Sequence, residues 1–193
     1  MQIKILTLFF IGFSLFATAQ KFSNSPFSSY GIGEAGGLDH AVFSGMGNNS
    51  IAFIDSTVLN YYNPSSYSSL GIGQPLFSTG ISSRLSEFKS GSDLSNSKYI
   101  GVDHFAIGIP FAKYFGLAFG LKPFSRTGYE FYELASTSVE KMKYIYRGSG
   151  GTHDVFTGFS ANLLNIKGHR LGIGANFGYV FGSTVNERIS YVD

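Results

Sequence analysis

One glycine-rich stretch has the residue types and spacing of a nucleotide-binding loop. Gly31-Ile32-Gly33-Glu34-Ala35-Gly36 spells the dinucleotide-binding GxGxxG, and Asp55 lies near the spacing expected for an acid that holds a ribose. That motif requires an apolar strand before it and a helix after it. No apolar strand precedes Gly31, and residues 38–50 contain two further glycines and two asparagines where the helix should run. The sequence therefore favours a turn-rich loop over a nucleotide site.

The histidines and serines show no catalytic or metal-binding pattern. The histidines are isolated from one another, without the HxH or HExxH spacing of metal sites. Asp39-His40 and His153-Asp154 are adjacent pairs whose side chains diverge on a strand, and no GxSxG surrounds any serine. Cysteine is absent, which excludes thiolate catalysis, thiolate metal sites and disulfides. We therefore expect no enzyme, no metal and no cofactor. The four histidines are His40, His104, His153 and His169.

Composition favours β-structure. The 193 residues are 44% hydrophobic, 17% aromatic and only 13% charged, with 25 glycines. This mixture argues against a disordered chain and against a helical bundle, and suits strands on which aromatic and very small side chains alternate. The net charge of +2 provides no field that would hold a polyanion, so we expect no nucleic-acid partner.

From Phe77 onward, large apolar residues alternate with small or polar ones in segments of about ten residues. The alternate face is mainly Gly, Ala, Ser and Asn, whereas a soluble β-sandwich, the alternative, would bury its large side chains and expose charged ones. The sequence therefore predicts an all-β fold, an antiparallel transmembrane β-barrel. The five segments are 77–86, 105–111, 116–122, 154–163 and 171–182.

The connections between these segments predict an orientation. Residues 112–114 and 166–169 read as tight turns, and residues 89–100 and 125–152 as long connections that hold most of the charges. In bacterial barrels the short turns face the periplasm and the long loops face outside.

The longer connection contains two further β-like pieces, 129–134 and 141–147. They are either two more spanning strands or one extracellular hairpin, and their charged residues favour the hairpin. Pro110 lies inside a strand and removes one backbone donor, which predicts a bulge or a local break there.

The first residues predict export. A short cationic start, an apolar run and Ala17-Thr18-Ala19 indicate a signal peptide over residues 1–19. Residues 20–74 are rich in Ser, Gly and Asn and predict a compact, turn-rich hatch or plug, followed by barrel strands from residue 75 to 193. We expect the protein to lie in the outer membrane of a Gram-negative bacterium, with the lipid of that membrane as a partner.

Two motifs in the hatch carry a family resemblance. Residues 45–55 begin Gly-Met-Gly-Asn-Asn-Ser-Ile-Ala, and residues 60–70 contain Asn63-Pro64-Ser65-Ser66. They resemble the amino-terminal region of FadL-type outer-membrane transporters, and residues 25–33, Ser-Pro-Phe-Ser-Ser-Tyr-Gly-Ile-Gly, resemble the start of a subset of them. The resemblance implies a barrel with more strands than this sequence contains. We therefore expect the chain to be an amino-terminal fragment of the full barrel.

The same resemblance implies passive uptake of hydrophobic small molecules such as long-chain fatty acids. The alternative is a PorV-like docking barrel with protein partners in the cell envelope. Asn63, Pro64 and Ser65 are expected to form a rigid exit from the hatch. Six apolar side chains of the hatch would either line a ligand path or merely pack the plug; they are Phe22, Phe27, Tyr30, Phe43, Met46 and Phe53.

Overall fold

The computed structural model describes residues 25–36, 40–136, 141–166 and 168–192, so the expected signal peptide and Phe22 lie outside the described residues. Within these ranges, no helix has the length and apolar character needed to cross a membrane. The helices are a 3₁₀ helix, η1 (Pro26–Ser29), a short α-helix, α1 (Ala41–Ser44), and a second 3₁₀ helix, η2 (Pro64–Ser69). The strands are β1 (Glu34–Ala35), β2 (Leu76–Ser90), β3 (Asp93–Ala112), β4 (Phe115–Ser136), β5 (Lys141–Ile166) and β6 (His169–Val192).

The strands form one antiparallel sheet in chain order, β2-β3-β4-β5-β6, to which β1 adds beside β4. Sequential antiparallel pairing of this kind is a meander, in which each hairpin needs only a short turn. The turn at 113–114 is as tight as the sequence predicts, and β5 and β6 pair up to Ile166↔His169. The sheet is open, because β2 and β6 do not pair with each other.

The predicted alternation is confirmed, and the structure shows which face is covered. The inner face, defined here as the one that the amino-terminal segment covers, carries the small residues, such as Ala106 and Ala118, which are buried. The outer face carries the large apolar side chains and is exposed at Phe105, Phe119 and Phe177. Since soluble sheets bury their large side chains, this is the reverse of a sandwich.

The strands are longer than the sequence predicts, which corrects two expected loops. β2 and β3 pair continuously up to Ser90↔Asp93, so residues 89–100 are not a long connection. β4 and β5 likewise pair up to Ser136↔Lys141, so residues 125–152 are mostly strand. The pieces at 129–134 and 141–147 are the ends of these strands and pair as a hairpin, as predicted, while its extracellular location stays a prediction. The polar content of these ends concealed the strands, because it broke the apolar alternation on which the prediction relied.

Pro110 falls where the β3–β4 register shifts, between Ile109 and Ala112, so the predicted irregularity is confirmed. Residues 25–36 and 40–75, called the amino-terminal segment below, contain one short strand and otherwise turns and short helices. The main buried cluster joins this segment to the sheet: Leu59, Tyr61, Tyr67, Leu70, Ala106, Ala118 and Phe156.

Candidate functional site

The amino-terminal segment lies on four glycines, one from each of four strands. Antiparallel register aligns Gly108, Ala118, Gly158 and Asn176 in one row across β3 to β6, and Gly116, Ser160 and Gly174 in the next. A Cβ on Gly174 would lie 2.5 Å from the Pro64 carbonyl carbon, and one on Gly116 would overlap the Tyr67 backbone. Glycine is therefore required at Gly116 and Gly174, where the backbone of η2 approaches the sheet most closely. We call Gly108, Gly116, Gly158 and Gly174 the glycine platform.

Asn63 starts the helix that lies on this platform. It is extended (φ −119°, ψ 91°), as the following proline requires, and Pro64 occupies the first helical position. The Asn63 Oδ1 atom accepts hydrogen bonds from Ser65 N (3.2 Å) and Ser65 Oγ (2.7 Å). The predicted local geometry of this turn is confirmed, and the motif acts as a helix cap.

Replacing Asn63 and Pro64 together by glycine is expected to loosen η2 without unfolding the strands. The change removes the cap and adds backbone entropy to the released state, at a combined cost of about 2 kcal/mol. Amide hydrogen exchange of residues 64–70 should accelerate roughly 30-fold while strand amides keep wild-type rates. Equal acceleration in β5 would show that the turn supports the sheet instead.

Asn60 is the polar centre of the segment, and sequence reasoning missed it. Its side chain is fully buried. The Nδ2 atom donates to Ser50 O (2.6 Å) and Phe53 O (2.9 Å), and Oδ1 accepts from Tyr62 N (3.1 Å) and Asn63 N (3.2 Å). One amide thus joins the turn at 50–53 to the turn at 60–63. The available signal was its place in the Asn-Tyr-Tyr-Asn-Pro run, since asparagine organises turns through such bonds.

Tyr67 fixes η2 to β6. Its ring is 0% exposed and lies across Gly158, and its Oη donates to Asn176 Oδ1 at 2.9 Å. Asn176 Nδ2 donates in turn to the Tyr61 carbonyl at 2.8 Å. Burial raises the pKa of Tyr67 to about 12, opposed by the Asn176 bond, so the phenol remains a donor.

Lys122 of β4 extends over aromatic rings of the segment. Its Nζ lies 5.3 Å from the Tyr62 ring centroid, 5.7 Å from that of Tyr61 and 5.9 Å from that of Phe156, and 3.6 Å from Asp154 Oδ2. Cation–π contacts strengthen when the cation is partly removed from water. Lys122 is therefore held by the segment and by β5 at once.

β3 and β4 stop pairing after Phe105↔Leu121 and diverge from there. β1 pairs with β4 in the gap between them, which we call the fork. Glu34↔Arg126 and Ala35↔Ser125 are the paired positions. Arg126 spans the fork: its Nη2 lies 3.4 Å from Asp103 Oδ1, and its guanidinium stacks on Tyr99 at 4.8 Å. A cavity of about 170 Å³ remains at the fork, lined among others by Tyr99, Val102, Phe105, Leu121 and Arg126.

Residues 25–36 bind the free edge of β4. Ser25 N donates to Gly128 O (2.8 Å), Gly36 N to Phe124 O (2.7 Å), and Ser28 Oγ to Gly128 O (2.9 Å). Gly31 (φ +60°) and Gly33 (φ +94°) make the turn that directs β1 onto β4. The GxGxxG sequence therefore forms a turn followed by strand β1, whereas a nucleotide-binding loop would lead into a helix.

The five predicted ligand-lining residues that the structure describes do not all come together. Phe43 is buried and Phe53 half-buried, with ring centroids 5.6 Å apart. Phe27 is 68% exposed and touches Phe88, Tyr30 is 78% exposed, and Met46 is also exposed. Phe22 lies outside the described residues. Those that are described form no shared path. Among described residues, no group of three or more His, Cys, Asp or Glu side chains could hold a metal ion.

The comparison with known families corrects the sequence interpretation. The BamG family model matches residues 1–193, whereas no curated protein and no solved structure matches this chain significantly. The resemblance to FadL-type transporters is therefore wrong. Its motifs are short, and the structure explains them by turn and packing requirements that do not identify a family. The match indicates association with the outer membrane of a Gram-negative bacterium. The chain belongs to the BamG family, which is related to the Bam complex.

Proposed function

We propose that this protein is an outer-membrane β-barrel that acts as a structural subunit of the Bam complex, with its amino-terminal segment as a fixed plug. The observation that carries the proposal is the match of the BamG model to the whole of residues 1–193. The fold adds physical support for the barrel and for the fixed plug.

The distribution of side chains supports a membrane barrel. Most of the exposed large apolar side chains of the sheet lie on the outer face, and the amino-terminal segment covers much of the inner one, which suits lipid outside and a lumen inside. β5 has 26 residues, while a tilted strand crosses a bilayer with about 9–11. The remainder forms hairpins beyond the apolar band, where the Arg147 Nε–Glu130 Oε2 pair (2.8 Å) lies exposed to water.

The contacts of the segment support a fixed plug over a moving one. It packs on the glycine platform, bonds to Asn176, encloses Lys122 and adds strand β1 to β4. These contacts are distributed over β3, β4, β5 and β6. A ligand would have to displace them all to pass along the inner face. The fork cavity of about 170 Å³ is also smaller than the ~300–1,000 Å³ typical of small-molecule sites. Uptake of hydrophobic molecules remains a prediction that these contacts do not favour.

Affinity purification from native outer membranes tests the proposal. Tagged full-length protein, extracted in mild detergent, is expected to co-purify with other Bam subunits in near-stoichiometric amounts, whereas an equally tagged, unrelated barrel from the same strain does not. Depletion of the protein should lower the levels of several other outer-membrane proteins. Purification as a lone barrel, together with normal outer-membrane protein levels and lost fatty-acid uptake on depletion, would favour transport instead.

A further inference from the structure

Two histidines from distant parts of the chain stack on each other where the amino-terminal segment meets the sheet. His40 immediately precedes α1, and His104 lies on β3. Their ring centroids are 4.8 Å apart and their ring planes differ by 11°. Both side chains are buried, and Phe43 and Tyr61 enclose them. The stack is thus a direct contact between the segment and β3.

The surroundings of the stack suit neutral rings. Both ring nitrogens of His40 and the Nδ1 atom of His104 have no hydrogen-bond partner, while His104 Nε2 lies 2.8 Å from Ser78 Oγ. An imidazolium carries two N–H donors, and a buried charge without partners is costly. Burial accordingly lowers the pKa of His40 below its ordinary value.

Within the described ranges, no carboxylate near the stack is available to offset an added proton. The segment contributes Tyr61, and β2 contributes Ser78 and Gly80, which are not charged. Asp103 of β3 is engaged by Ser82 Oγ (2.5 Å) and by Arg126. Lys122 of β4 lies over Tyr61 and uses Asp154 as its partner. Protonation would therefore add positive charge to a region that contains Lys122 and Arg126, whose carboxylate partners, Asp154 and Asp103, are already engaged.

We propose that the His40–His104 stack is an acid-sensitive latch that holds residues 40–62 on β3 at neutral pH and releases them as the rings take up protons. Helix η2 stays on the glycine platform, because its contacts contain no group that titrates in this range. The ordinary histidine pKa is about 6.5. Below it the released state binds protons that the docked state excludes, so release becomes more favourable as pH falls.

Amide hydrogen exchange of the full-length protein in detergent, measured between pH 7.5 and 5 and corrected for intrinsic rates, tests the latch. The opening constant for residues 41–62 is expected to rise below about pH 6.5 by about tenfold per pH unit for each proton taken up. Residues 64–70 should show no such rise.

Two variants and one control assign the effect. H40F keeps the stacking surface without a titrating nitrogen. For each unit by which the pH falls, its opening constant should therefore rise about tenfold less than that of the wild type. H40Q should lose the same dependence while opening more at every pH, since it also loses the stack. H169F, which alters an exposed histidine, should behave like the wild type. A wild-type opening constant that does not change with pH, or an H40F variant whose pH dependence equals that of the wild type, would overturn the proposal.

Discussion

Replacing Gly174 by alanine is expected to lift η2 off the sheet, whereas the same replacement at Gly172 leaves it in place. Both glycines lie on β6 beneath the Asn63-Pro64-Ser65 turn and face it. A Cβ at Gly174 would lie 2.5 Å from the Pro64 carbonyl carbon and 2.6 Å from Ser65 N, which is main chain and cannot rotate away. A Cβ at Gly172 would have ordinary contacts, the nearest being 3.4 Å from Ser65 O. The cost at Gly174 is about 1–3 kcal/mol, the range for overpacking.

The matched pair separates packing from strand propensity, because alanine for glycine favours an extended strand slightly and equally at both positions. Amide exchange of residues 64–70 should accelerate about fivefold to 150-fold in G174A and stay near wild-type rates in G172A. The β-content from circular dichroism should remain unchanged in both. Similar exchange in the two variants would mean that the segment does not press on the sheet as described.

Replacing Asn60 by alanine is expected to release the whole turn region from residue 50 to 63. The variant removes four hydrogen bonds at once and leaves buried backbone groups of Ser50, Phe53 and Tyr62 without that partner. Each unsatisfied buried group costs about 1–3 kcal/mol, although Ser50 O retains Phe53 N at 3.1 Å and Asn63 N retains the Asn60 carbonyl at 3.2 Å. We expect a loss of about 3 kcal/mol or more in local stability.

Protease digestion under native conditions measures this loss. Cleavage between residues 50 and 63 should accelerate by more than 100-fold in N60A, following the equilibrium opening of the region. N49A is the control, because Asn49 is exposed and only its backbone N–H is bonded, to Met46 O. Equal resistance of N60A and wild type would show that packing of Leu59 and Tyr61 alone maintains these turns.

Much of the sheet could be predicted from residue types. The alternation at 105–111, 116–122 and 171–182 determined strand positions and faces, since successive side chains on a strand point to opposite sides. Pro110 and the tight turns at 112–114 and 166–169 were also predictable, because proline lacks a donor and short turns select small or polar residues. Residues 129–136 of β4 and 141–147 of β5 were not, because their polar and charged side chains break the apolar alternation.

The site was less predictable than the sheet. The Asn63 cap follows from the local chemistry of asparagine and proline, and was found. Asn60 and the His40–His104 stack involve partners brought together by the fold, so a reading of neighbours along the chain missed their roles. The resemblance to transporters failed for a related reason: short glycine and Asn-Pro motifs specify turns that unlike families use.

By itself the sequence determined an all-β fold with one large apolar face and one small face, because a period of two is a local property of the chain. The tertiary structure alone decided that the amino-terminal segment covers the small face and which part of that segment lies on each glycine of the platform. It also decided that β1 adds to β4 where β3 leaves it. These facts depend on register between strands and on close approach of residues far apart in sequence, such as Pro64 to Gly174, and no spacing along the chain encodes such a distance.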